Sequence, residues 1–202
     1  MLKYILIGSG FAFAAAAQPG PLQAFYLFRV ASSGWRRTLP ASFAPVISDG
    51  PIAVLILLVL HRLPDGFEGF LKAAGGILLL YFALRAFLEW RRGKDGVAME
   101  THSAPRTLFH AVAVNLVNPG PYLGWSLVLG PLGIEAWKQA PVHAVALVAA
   151  FYITMVSSLA LFILLLGTTS FLGPRGRRGL LLASSFALAA IGVYQLVSIG
   201  GL

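Results

Sequence analysis

Long unbroken apolar blocks dominate this chain: Ile52–Leu60, Ala144–Met155 and Leu159–Leu166 run with almost no polar interruption. Such blocks follow neither the period of a half-buried helix nor that of a half-buried strand. A helix needs about 20 mostly apolar residues to cross a ~30 Å hydrocarbon core. Several stretches of the sequence reach that length. Charge agrees, with 11% charged residues, 58% hydrophobic residues and a mean hydropathy of +0.82. A soluble domain carries roughly 25% charged residues. The chain is therefore read as an all-α integral membrane protein.

The chain has no cysteine, which removes disulfides, thiol catalysis and Cys-based metal sites from consideration. A net charge of +8 can mark a nucleic-acid partner. Here the basic residues sit between apolar blocks, where topology signals belong, so no nucleic acid is expected. Near the start, Lys3, an apolar stretch and Ala15-Ala16-Ala17 imitate a secretory signal. The residues after them continue a pattern that recurs later, so this segment is taken as a first span.

Six spans are expected, at Leu2–Phe28, Leu39–Leu60, Phe70–Leu88, Leu108–Leu132, Val142–Leu166 and Leu180–Ile199. Charges and helix breakers gather in the joints: Arg36-Arg37, Leu63–Gly69, Arg91–Arg106, Gly133–Pro141 and Gly173–Gly179. The longest joint divides the chain into three-span halves, residues 1–95 and 96–202. One side holds Arg29, Arg36, Arg37, Arg85, Arg91, Arg92, Lys94, Arg106, Arg175, Arg177 and Arg178. The other holds only Lys3, Arg62, Lys72 and Lys138. The richer side is assigned to the cytoplasm, which puts both termini in the periplasm of a bacterial inner membrane.

The halves share a motif. Gln18-Pro19-Gly20-Pro21 lies in the first span, and Asn118-Pro119-Gly120-Pro121 lies one hundred residues on, in the fourth. Proline removes a backbone donor and clashes with the preceding turn, so neither helix runs through unbroken. Irregular backbone at membrane depth is tolerated only in protein or beside a cavity. Three spans separate the motifs, so the halves enter the membrane from opposite sides, as an inverted 3+3 repeat. Matched interruptions of this kind point to a transporter's central binding site. Their freed amides and carbonyls suit a substrate's carboxylate and ammonium; the plainer alternative is a pair of packing kinks.

Asp49, in Ile47-Ser48-Asp49-Gly50-Pro51, is the one acidic residue placed deep in a span. A carboxylate there costs at least ~2.5–3.5 kcal/mol on insertion scales. Low dielectric favours its neutral form, which suits a group that loads and releases a proton. The alternative is a structural carboxylate bonded to the broken backbone. Thr154, Ser157 and Ser158 are candidates for lining a path or for helix packing. Tyr194 and Gln195 read as interfacial anchors, and His61, His102, His110 and His143 as surface residues without metal-ligand spacing. Trp35, Trp90 and Trp137 suit a headgroup belt, with Trp125 deeper.

These residues resemble the LysE/RhtB-type amino-acid exporters, the LysE-type translocators. The resemblance rests on Pro19-Gly20-Pro21, on Gly34-Trp35-Arg36-Arg37, and on Asp49 fifteen residues after Gly34. It extends through Gly75-Gly76, Tyr81 and Leu84-Arg85 to Asn115-Leu116-Val117-Asn118-Pro119, over nearly the whole chain. Departures are Gly120 where the family usually has lysine, and Thr38, Ala44 and Ser48 where glycines are common. Pro40, Pro45 and Pro51 are additions. The resemblance implies export of amino acids or related metabolites, coupled to the proton motive force. With Gly120, a cationic group near the site is gone.

The expectation is a proton-coupled secondary exporter working by alternating access, and not an enzyme. Gln18, Pro19, Gly20, Pro21, Asn118, Pro119, Gly120 and Pro121 would frame the substrate, with Asp49 as coupling carboxylate. Its partners are a small-molecule substrate, protons and the lipid bilayer, with homo-oligomerisation left open; no cofactor or metal is expected. The alternatives are a non-transporting membrane subunit, a metal-ion exporter and a membrane-embedded enzyme.

Overall fold

The computed structural model describes residues 1–56, 67–92, 103–168 and 173–201. Among them all regular structure is helical. The α-helices are α1 (Leu2–Ala17), α2 (Pro21–Ser33), α3 (Trp35–Thr38), α4 (Ala44–Val54) and α5 (Phe67–Arg92). They continue as α6 (Ala104–Leu116), α7 (Pro119–Gly124), α8 (Gly130–Gln139), α9 (Pro141–Thr168) and α10 (Gly173–Val197). A 3-10 turn, Leu39–Phe43, leads into α4, and a π-helical turn, Trp125–Leu129, joins α7 to α8. The end of the second expected span, His61, Arg62, Lys94 and His102 lie outside the described residues.

Three stretches are long and apolar enough to cross a membrane: Gly69–Arg91, Pro141–Thr168 and Arg178–Val197, of 23, 28 and 20 residues. A fourth is the pair α1–α2, bent by 58°. The chain is thus a multi-pass membrane protein. Its outer surface fits, because Val145, Ile153, Leu161 and Phe186 face outward as they would toward lipid chains. On α9 the buried face repeats every fourth residue through Leu147, Phe151, Met155, Leu159 and Ile163.

Several helix ends differ from expectation. Helix α2 runs on to Ser33 and stops at Gly34, whose φ of 82° is the one left-handed backbone position among the described residues. Only glycine adopts that conformation without steric cost. Because the helix continues, Arg29 lies inside it and is 1% exposed, not in a solvated joint. Its Nη2 donates to Thr107 Oγ1 at 3.3 Å, and its guanidinium lies 5.7 and 5.6 Å from the Phe25 and Phe28 ring centres. Glu89 supplies the opposing charge nearby. The Gly133–Pro141 joint is also mostly helical, since α8 extends to Gln139 and only Ala140 is extended before Pro141 restarts the chain as α9.

Close helix packing depends on glycines, as expected where helices associate in lipid. Helices α5 and α10 form the most extensive pair and run antiparallel. A Cβ at Gly76 would lie 2.9 Å from Gly192 O, and one at Gly192 would lie 3.0 Å from Gly76 O. Each glycine leaves the space that the other's carbonyl fills. Helix α1 packs along α9, where a Cβ at Gly8 would meet Leu147 O at 2.6 Å. Helix α6 packs along α4 and the 3-10 turn before it. Lys3 Nζ lies 3.7 Å from Glu135 Oε1, and Tyr4 OH donates to the same oxygen at 3.3 Å. The start of α1 and the end of α8 therefore share one end of the molecule.

Candidate functional site

Both Pro-Gly-Pro motifs interrupt their helices, but in different registers. In the first, Gln18, Pro19 and Gly20 are non-helical and α2 restarts with Pro21 at its first position. In the second, the helix restarts two positions earlier in the motif, at Pro119. The cap explains the difference. Asn118 Oδ1 accepts a hydrogen bond from Gly120 N at 3.1 Å, closing the first turn of α7. Asparagine is among the best N-caps, whereas glutamine, one methylene longer, does not serve, and Gln18 caps nothing. Asn118→Ala should therefore lower thermal stability by about 1 kcal/mol. Gln18→Ala should leave it close to wild type, and equal melting shifts in detergent would contradict this account of the two registers.

The carbonyls freed at each break are recovered from the next helix. Gln23 Nε2 donates to Ala16 O at 2.9 Å, and Tyr122 OH donates to Leu116 O at 2.8 Å. Each side chain reaches back across its break to the last turn of the preceding helix. Buried carbonyls need such partners, so the breaks are held open by built-in bonds.

Between the breaks lies a cavity of about 930 Å³. It is lined by all eight residues expected to frame a substrate, Gln18 to Pro21 and Asn118 to Pro121, and by Asp49. Asp49 is 3% exposed. Asn115 Nδ2 donates to Asp49 Oδ1 at 2.8 Å and lies 2.6 Å from Ser48 Oγ. Ser48 Oγ in turn donates to Ala44 O at 2.9 Å. Helix α6 thus holds the carboxylate of α4. Pro51, inside α4, removes the backbone donor one half-turn beyond Asp49 and loosens the helix there.

Three groups missed by sequence reasoning join this site. Asn115 stood out only as part of the family resemblance, yet it makes the shortest bond to Asp49. Trp125 opens the π-helical turn, a rare geometry often found at functional sites. Its ring packs edge-on to Phe151 with centres 6.4 Å apart, and its indole is turned toward Asp49 within range of a weak hydrogen bond. Nε1 has no partner of good hydrogen-bond geometry among the described residues. Phe11, Phe151, Met155 and Leu159 form an apolar wall.

Other expectations are corrected. Gln195 is no interfacial anchor. It is 6% exposed and lines the cavity, with Oε1 lacking a donor among the described residues. Gly75 makes room for it, since a Cβ there would lie 2.7 Å from both Gln195 Oε1 and Val117 O. Tyr194 also lines the cavity, although it is exposed. Thr154, Ser157 and Ser158 do not line it, because the inward face of α9 is the four-residue repeat through Phe151 and Met155. His110 and His143 are half-buried and pack on the Phe82 and Tyr4 rings. Among the described residues no group of three His, Cys, Asp or Glu side chains is placed to hold a metal.

A multi-pass helical protein with broken helices around a central cavity belongs to the class of membrane transport proteins. Comparison with known families agrees: the model of the LysE type translocator family matches residues 13–199. The chain belongs to the LysE type translocator family. No curated protein and no solved structure matches it.

Proposed function

We propose that this protein is a secondary active exporter of amino acids or related small metabolites, driven by protons across a bacterial inner membrane. The observation that carries this reading is the meeting of two broken helices and one buried carboxylate at a single cavity. On this reading the chain is six spans in two inverted halves, residues 1–95 and 96–202, with both termini in the periplasm. The antiparallel pairing of α5 with α10, the third and sixth expected spans, supports it. So does the packing of α1 on α9, repeated by α6 on α4.

Asp49 and Asn115 come from different halves, so their hydrogen bond ties one half to the other. A bond to an ionised carboxylate is roughly twice as strong as a neutral one. Protonating Asp49 weakens the tie, and a substrate ammonium competes for the same oxygens. The backbone amide of Gly20 at the first break serves the substrate carboxylate, because at the second break the amides of Asn118 and Gly120 are already taken by Asn115 O and Asn118 Oδ1. Among the described residues, the cavity lining reaches Lys72, Tyr194 and Ser198, while the packed cluster of Phe25, Phe28, Arg29 and Phe82 does not contribute to it. With the proposed orientation this is an outward-facing form.

Efflux from proteoliposomes loaded with a labelled amino-acid mixture, with and without an imposed pH gradient, tests the proposal. Loss of particular amino acids, accelerated by the gradient, is the expected result. No loss from folded protein would overturn amino-acid export and favour another small metabolite or a partner-subunit role.

A further inference from the structure

The cavity is asymmetric in a way that its repeat does not require. Asn115 stands three residues before Asn118, and its counterpart, three residues before Gln18, is Ala15. Around Asn115 the wall is polar, with Ser48 and Asp49 bonded to it. On the Ala15 side the wall is apolar. Phe11 and Phe151 lie 6.2 Å apart between ring centres, and Met155 and Leu159 continue that surface along α9. Trp125 stands between the two walls, with its ring against Phe151 and its indole toward Asp49.

Resting on the exporter reading above, we infer that the substrate is an amino acid with a large apolar side chain. Its ammonium lies at Asp49 and its side chain lies on the Phe11, Phe151, Met155 and Leu159 wall. Charge argues the same way. Among the described lining residues Asp49 is the sole carboxylate and Lys72 the sole ammonium. One carboxylate matches one α-ammonium and leaves no anion for a lysine or arginine side chain. An acidic side chain would meet the apolar wall. A small or hydroxylated side chain would leave that wall uncovered, and apolar pockets discriminate by the methylenes they bury.

Transport rates for leucine, phenylalanine, alanine, threonine, lysine and aspartate, measured separately in proteoliposomes, test this. Leucine and phenylalanine should exceed the other four by roughly tenfold or more in kcat/KM. Met155→Ala should narrow their lead over alanine without abolishing transport. The same preference should appear as stabilisation of the wild-type protein against heat by leucine but not lysine, a readout that does not depend on the variant folding. Transport led by lysine, threonine or aspartate would overturn the apolar assignment and leave the exporter reading intact. Equal stabilisation by leucine and lysine would also overturn the assignment. Transport of none of the six by folded protein would overturn both the apolar assignment and the reading of the substrate as an amino acid.

Discussion

Asp49→Asn should cut gradient-driven efflux by roughly a hundredfold, the factor that about 3 kcal/mol of lost charge pairing represents. The substitution keeps the shape of the side chain, and its amide oxygen still accepts from Asn115 Nδ2, so the contact between α4 and α6 persists. What disappears is the ability to gain and lose a proton and to pair with an ammonium. Asp49→Ala separates this role from packing. It leaves the Asn115 amide with Ser48 Oγ but short of its second acceptor in a buried setting, which costs about 1–3 kcal/mol of stability, whereas Asp49→Asn should melt near wild type. Efflux that stays fast and pH-sensitive in Asp49→Asn would remove Asp49 from the coupling step.

Gly76→Leu should prevent folding, and Gly76→Ala should cost about 1–3 kcal/mol, as overpacking of a tight interior does. Besides Gly192 O, a Cβ at Gly76 would lie 2.7 Å from Leu196 Cγ. Unbonded carbon atoms are comfortable at about 3.5–4.0 Å. The backbone oxygen of the partner helix cannot swing away, so α5 and α10 must separate. Gly192→Ala should act in the same direction but more mildly, since its nearest contacts would be 3.0 Å to Gly76 O and 3.1 Å to Leu80 Cγ. Melting in detergent measures both. Two alanine variants as stable as the parent would mean that the helices can part freely.

The features legible in the sequence were those that break a pattern. Proline marked the interrupted helices wherever the fold ended up placing them. Asp49 stood out because charge in an apolar run is costly. Which face of a span looks inward was not legible. On α9 the inward Phe151, Met155 and Leu159 and the outward Ile153 and Leu161 are equally apolar, so periodicity has nothing to contrast. The hydroxyls Thr154, Ser157 and Ser158 drew attention as polar groups in that span and proved to be off the cavity. Gln195 and Arg29 were misread for a related reason. Position near a span end suggested solvent, but Gly75 admits one side chain and the extension of α2 encloses the other. The two registers of the Pro-Gly-Pro breaks followed from a single methylene, the difference between Asn118 and Gln18.

If the two proposed halves turn against each other, the mutual fit of Gly76 and Gly192 suits a contact about which they would turn. A contact lying on the line about which two halves turn moves hardly at all when they turn. From Gly76 to the end of α5 at Arg92 is sixteen residues, a lever arm of about 24 Å at ~1.5 Å per residue. A rotation of about 10° about that point displaces the far end by roughly 4 Å, comparable to a helical turn's 5.4 Å pitch. On the proposed reading, small residues at such an axle and long helices leading away from it would let the bundle stay tightly packed at its centre while its ends move.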